Sequence, residues 1–292
     1  MVNSSAINRR RPSQSPDFWV RAKPFFTHAI LLGIGFLYIY PFIWMIGSSL
    51  KTRGEIFTLQ LQAFPAQAQW NNYAEAWDTA KIGLYLQNSM FVSVVSTVLV
   101  VTFTAMAGYV LSRYEFPGRR IILGLIAALF FFHGGYAILP LYDLVNKLGL
   151  IGSYSSLILV EVSGGLVYYT ILFSGFFVGL PKELEESAAL DGASFPVIFW
   201  HIALPQARPM IATVSLFFFV SVWNSYFYPL IFTAPFENIR TLAVGLQRFY
   251  GERSTEWPLV CAGAVISIAP VMILFVFLQR YFVNTISGAV KG

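Results

Sequence analysis

Six long apolar runs dictate the fold class of this chain: Phe25–Leu50, Leu86–Leu111, Ile121–Leu141, Ser156–Leu180, Met210–Phe232 and Leu259–Phe282. A helix needs about 20 mostly apolar residues to cross a bilayer. Inside lipid only helices and closed barrels satisfy their own backbone hydrogen bonds. The runs therefore predict an all-α membrane protein with six transmembrane helices. Composition agrees, since 57% of the 292 residues are apolar and 11% are charged, against roughly 25% charged in a soluble domain. An even number of crossings places both ends of the chain on one side.

Lysine and arginine decide which side that is. The tail 1–24, the 112–120 turn, the 181–209 segment and the C-terminal end carry twelve of them, and the opposite loops carry seven. By the positive-inside rule both termini and the 181–209 segment are expected in the cytoplasm. Residues 1–24, with Arg9, Arg10 and Arg11, lack the short apolar core and small-residue cleavage site of a signal peptide and read as a retained, disordered tail. The expected layout is a tail over 1–24, a six-helix domain over 25–282 and a second tail over 283–292. The net charge of +5 forms no basic stripe, so nothing points to nucleic acid. The one cysteine, Cys261, excludes a disulfide framework, and the three scattered histidines make no metal set.

The polar interruption Pro181–Pro209 carries two helix signals in succession. Pro181 suits a first helical position, and Glu183, Glu185 and Glu186 favour the positive end of a helix dipole. Asp191 and Gly192 form a stop, with Gly192 able to take the left-handed conformation. Beyond them Phe195, Ile198, Phe199 and Ile202 repeat at helical spacing until Pro205, which is expected to end the pattern. A short helix, a tight turn and a second amphipathic helix result. Ser187, Ala188 and Ala189 give the first helix a face that another surface approaches closely.

Polar and aromatic groups also recur inside the spans. Span three passes His133 and Tyr136, span four passes Glu161, Tyr168 and Tyr169, and span five passes Trp223, Asn224 and Tyr226. Ionisable groups are costly to expose to lipid, so Glu161 and His133 are expected to face a bundle interior or a wet cavity. Together these residues suggest a polar pathway. Packing or an interfacial belt is the plainer explanation of the aromatics. No phosphate-binding loop, zinc-protease helix or nucleophile elbow occurs, and no paired carboxylates lie in the spans. The chain thus reads as a non-enzyme, with no catalytic residues, and any energy must come from a partner or an ion gradient.

Glu186-Ser187-Ala188, three residues, Gly192, nine residues, then Ile202-Ala203-Leu204-Pro205 resembles the EAA loop of bacterial ATP-binding-cassette (ABC) importer permeases, with Ser in place of the middle Ala. Tyr40-Pro41, Asn88-Ser89, Leu139-Pro140-Leu141-Tyr142 and the Gly288–Gly292 tail resemble the carbohydrate-uptake, MalG-like branch. Phe132–Gly135 and Trp223–Tyr226 are similar to permeases for larger or acidic saccharides such as alginate or aldouronate oligomers. The resemblance implies a type I (MetI-like) permease fold with a cytoplasmic coupling helix in the bacterial inner membrane. Glu185, Glu186, Ser187, Ala188, Asp191, Gly192, Ala193 and Phe195 would then meet the ATPase. It also implies a second homologous permease subunit, two ATPase subunits that bind the ATP and Mg, an extracytoplasmic solute-binding protein and an oligosaccharide substrate. This chain itself would carry no cofactor. The alternative is a proton-coupled secondary transporter relying on Glu161, which would need an inverted repeat that residues 25–141 and 156–282 do not show.

Overall fold

The computed structural model describes residues 18–57, 62–131, 137–250 and 255–289, with side chains described over 24–281 of those ranges. His133 and Tyr136 therefore lie outside the described residues, as do most of both tails. Among the described residues the chain is helical, without a named strand. In order, the elements are α1 (Phe18–Ser49), α2 (Arg53–Ile56), α3 (Asn71–Thr79), α4 (Ile82–Arg113), α5 (Arg119–Phe130), α6 (Ile138–Lys147), α7 (Tyr154–Val178), α8 (Glu183–Leu190) and α9 (Phe195–Ile198). A π-helical turn over Phe199–Ala203 leads into α10 (Leu204–Gln206), α11 (Arg208–Trp223), α12 (Phe227–Thr233), α13 (Leu242–Gly245) and α14 (Trp257–Ala289).

Among the described residues four helical stretches are long and apolar enough to cross a membrane: Pro24–Ser49, Ile82–Arg113, Tyr154–Val178 and Trp257–Tyr281. A fifth arises if Phe195–Gln206 and Arg208–Trp223, bent by 74°, count together. The expected runs Ile121–Leu141 and Met210–Phe232 are not single helices. The 12 residues of α5 rise only about 18 Å, short of a hydrocarbon layer of about 30 Å. Likewise α11 stops at Trp223 and the chain resumes as α12 at Phe227. Hydropathy reports an apolar stretch and is blind to a break within it.

The centre of the bundle is the pair α4 and α7, which share the most extensive packing. Beside Tyr85, Val92, Val100 and Tyr109, α4 buries a small and polar stripe: Asn88, Ser89, Ser93, Ser96, Thr97, Thr104 and Gly108. Of its other bulky side chains, Phe91, Val94, Val98 and Phe103 point outward. Lipid is as apolar as leucine, so small residues that let backbones approach hold membrane helices together. A Cβ on Gly108 would sit 2.7 Å from Phe173 Cβ on α7 and 2.8 Å from the Ser174 nitrogen. In α11 one face, with Val214, Phe218 and Val222, joins this core, while Phe219 and Trp223 join a second core with Leu259 and Ala262 of α14. Little of α1 is buried, and it packs on α14.

A polar network closes the end of the bundle that carries α3. Asn72 Nδ2 donates to the carbonyls of Ser49 (2.8 Å) and Lys51 (2.9 Å). Asn88 Nδ2 donates to the carbonyls of Asn238 and Arg240, both at 2.9 Å, and Asn88 Oδ1 accepts from Tyr154 at 2.7 Å. The Glu237 carboxylate receives Lys81 (3.0 Å) and Arg248. Lys81 itself starts α4 with a positive φ of 48°.

Candidate functional site

The 181–209 segment folds much as its residues dictate. Lys182 is the N-cap of α8, so Glu183, Glu185 and Glu186 fall in the first turn, where carboxylates complement the helix dipole. Pro181 stands before the cap, outside the helix, which corrects its expected first helical position. At the other end Gly192 has φ +83°. Gly192 N–H donates to Ala189 O (3.1 Å) and Ala193 N–H to Ala188 O (2.9 Å), the paired bonds of a Schellman stop. A new start follows, with Ser194 as the extended N-cap and Pro196 in the first turn of α9.

Pro205 does not end the second helix. It sits inside α10 at the first turn after the π-helical Phe199–Ala203. Proline lacks an N–H and its ring crowds the preceding turn, and a π turn is where a helix absorbs such an irregularity. The break comes at Ala207, whose N–H bonds both Ala203 O and Leu204 O (3.1 Å each) before the 74° bend into α11.

The eight residues expected to meet an ATPase split into two sets. Glu186, Ser187, Asp191 and Gly192 are exposed, together with Leu184 and Leu190, the latter 90% exposed. Ala188 and Ala193 are half-buried. Glu185 turns inward, where Tyr109 Oη donates to its Oε2 at 2.9 Å and Arg113 Nε to its Oε1 at 3.0 Å. Phe195 is partly exposed, yet its ring centroid lies 5.3 Å from that of Tyr114 and 5.8 Å from that of Tyr109. Arg113 and Tyr109 escaped the sequence reading. Their one signal was an i, i+4 spacing at the end of a span, which places both on one face.

The pathway residues also divide. Glu161 is buried in α7, its Oε1 without a hydrogen-bond partner, and Ser225 in the gap between α11 and α12 lies near its carboxyl. Tyr169 is buried edge-on to Phe218, with centroids 5.4 Å apart, and Tyr168 is exposed and stacked on Phe130 at 6.2 Å. Trp223 faces the other way, donating from Nε1 to Ser267 O of α14 at 3.1 Å. Asn224 is exposed and donates to Val220 O at 2.9 Å, and Tyr226 is the half-buried N-cap of α12. The structure thus brings Glu161 near the α11–α12 gap and leaves Trp223 in packing. Three grooves among the described residues, of about 390, 570 and 430 Å³, are apolar and lined by none of these residues. Among the described residues no group of His, Cys, Asp and Glu is placed to hold a metal.

With this geometry in place, the likeness to known proteins is informative. Residues 21–288 match the family described as "Binding-protein-dependent transport system inner membrane component". The chain is 36% identical over 262 residues to the "Probable ABC transporter permease protein YurM" of Bacillus subtilis, covering 88% of this chain and 86% of that protein. It is 32% identical to the "Melibiose/raffinose/stachyose import permease protein MelC" of the same organism, covering 86% and 91%. Among solved structures, a chain of a bacterial ABC transporter involved in the import of the acidic polysaccharide alginate superposes with TM-score 0.76 at 25% identity, covering 90% of this chain and 98% of that one.

Proposed function

Because the chain belongs to the family of binding-protein-dependent transport system inner membrane components, we propose that it is the membrane-spanning subunit of a bacterial ABC importer for oligosaccharides. One observation carries this reading: a family match along nearly the whole chain coincides with an exposed helix–Gly192–helix segment docked on the ends of α4 and α7. The chain is a permease and not an enzyme. ATP and Mg are bound by two ATPase subunits on the side of α8. A second homologous permease completes the path, and a solute-binding protein delivers saccharide at the α3 end.

In this reading α5 and α6 together make the third crossing, and α11 with α12 the fifth. That restores six crossings with both termini, α8 and the tails 1–24 and 283–292 in the cytoplasm. The face with Glu186, Ser187, Asp191, Gly192, Leu184 and Leu190 is the part of the coupling helix that enters the ATPase. Closure of the ATPase pair on ATP moves α8, and the spans rock from inward-open to outward-open. Docking of the loaded binding protein favours the same state, and each ligand drives the change only by binding one state better. Glu161, Ser225 and Asn224 offer acceptors and donors for sugar hydroxyls at the α11–α12 gap. His133, Tyr136, Tyr168, Tyr169 and Tyr226 belong to the same proposed pathway. An acidic saccharide such as an alginate oligomer would need cations from the second permease, because the described spans bring Glu161 and no Lys or Arg between their ends.

The test is the reconstituted complex in liposomes, with ATPase activity and uptake measured across neutral and uronic oligosaccharides. At least one saccharide, presented by its binding protein, should stimulate hydrolysis several-fold, and Glu161→Gln should lower its uptake without loss of assembly. A chain that purifies free of ATPase subunits and takes up sugar on a proton gradient would overturn the proposal.

A further inference from the structure

We propose that Arg113 and Tyr109, through Glu185, form the joint that passes movement of α8 to the spans, which makes them positioning residues for transport. The inference rests on α8 being the coupling helix. Of three acids in one turn of α8, Glu183 and Glu186 are exposed and Glu185 alone turns inward. Both of its oxygens are used: Oε1 meets Arg113 Nε and Nη2 at 3.0 Å, and Oε2 accepts from Tyr109 Oη at 2.9 Å. The Arg113 and Glu185 side chains are only 4% and 11% exposed. Arg113 Nη2 also donates to Leu180 O at 3.0 Å, in the middle of the connection from α7 to α8. The Tyr109 ring lies against Phe177 of α7 (5.3 Å) and against Phe199 beyond the Gly192 turn (5.2 Å).

One arginine and one tyrosine, a helical turn apart on α4, thus hold four things: the end of α7, the connection to α8, α8 itself and the helix that follows it. Without them α8 would pivot about Gly179–Lys182, and its displacement would be lost in that connection. With them the displacement reaches α4, and α4 moves with α7 because their backbones touch at Gly108. A buried ion pair suits such a joint, since parting it leaves a bare charge in the interior; it holds or it breaks. An exposed pair such as Lys81–Glu237, with side chains 46% and 35% exposed, is too weakly bound for that role.

The experiment uses the whole complex with its binding protein in liposomes, comparing Glu185→Gln, Arg113→Met, Tyr109→Phe and the double variant Arg113→Met/Glu185→Met. The readout is saccharide taken up per ATP hydrolysed, alongside copurification of the ATPase subunits and thermal stability. The single variants at the pair should still copurify with ATPase, and uptake per ATP should fall by about tenfold or more as a stranded charge opens the joint. Tyr109→Phe, which deletes one hydrogen bond, should lose about two- to fivefold. The double variant should regain thermal stability, because apolar replacement of both partners removes the stranded charge, without regaining uptake per ATP. Normal uptake per ATP in Glu185→Gln, or its return in the double variant, overturns the joint. Loss of ATPase subunits with normal coupling in the complexes that remain also overturns it, since Glu185 would then be a docking contact. A wild-type chain that binds no ATPase subunit overturns the importer itself, and the joint with it.

Discussion

At the scale of single residues, Gly192 and Glu185 illustrate two kinds of constraint, one local and one not. Gly192 has a positive φ of 83°, and a Cβ there would meet no heavy atom within 4 Å. A side chain at this position is opposed by backbone conformation alone. Left-handed geometry costs an L-residue about 1–2 kcal/mol, and a β-branched one more. Gly192→Val should therefore let α8 run past its stop and change the angle between the two halves of the segment. The expected outcome is a chain that inserts and assembles but whose ATPase activity no longer depends on loaded binding protein. Gly192→Asn, which tolerates this conformation, should keep most of that dependence. Wild-type dependence in the valine variant would remove Gly192 from the mechanism. This stop was legible in the sequence because glycine, aspartate and the acids before them are local signals. The inward turn of Glu185 was not, because it depends on how α8 is rotated against α4, and three similar acids in one turn give no hint of which meets Arg113.

Among the elements, α4 shows how membrane packing adds small and polar residues to an apolar core. Its buried stripe mixes serine, threonine and glycine with Val92, Val100 and Tyr109, while Phe91, Val94, Val98 and Phe103 face out. The position of the helix in the sequence was plain, since an apolar run announces itself; the face it buries was hidden within a run apolar nearly all round. The interruptions between α5 and α6 and between α11 and α12 were hidden for the same reason. Of the residues read there, Trp223 turned out to pack on α14 through Ser267 O, which only the rotation of α11 decides. The tightest contact in the seam is Gly108 against Phe173 and Ser174, at 2.7 and 2.8 Å from a Cβ position. Gly108→Leu should force α4 from α7 and destabilise the chain by about 1–3 kcal/mol, the usual cost of overpacking. Gly175→Leu on α7, where a Cβ meets nothing within 4 Å, is the matched control. Melting of the purified chain in detergent should show a clear drop for the first and almost none for the second. Equal melting would mean that the seam yields without cost.

For the whole molecule, the distribution of charge predicts which end faces the cytoplasm, and the placement of exposed side chains makes that prediction testable. The difference between twelve and seven basic residues sets a direction through many small contributions, each acting near a span end. The structure adds what charge counting lacks, namely that Leu190 on α8 and Trp70 beside α3 lie at opposite ends of α4 and are 90% and 70% exposed. The chain's one cysteine, Cys261, is buried, so a thiol reagent finds little on the native protein. Leu190→Cys and Trp70→Cys thus report on their own positions. In spheroplasts expressing the chain without its ATPase partners, a membrane-impermeant maleimide should label Trp70→Cys at once and Leu190→Cys only after permeabilisation. The reverse pattern would invert the chain and place α8 where no ATPase reaches it. Labelling of both from outside is equally decisive, because α3 and α8 are separated by the length of α4, whose 32 residues rise about 48 Å. A helix that long with both ends on one face of the membrane does not span it, and the six-crossing topology would fall with it.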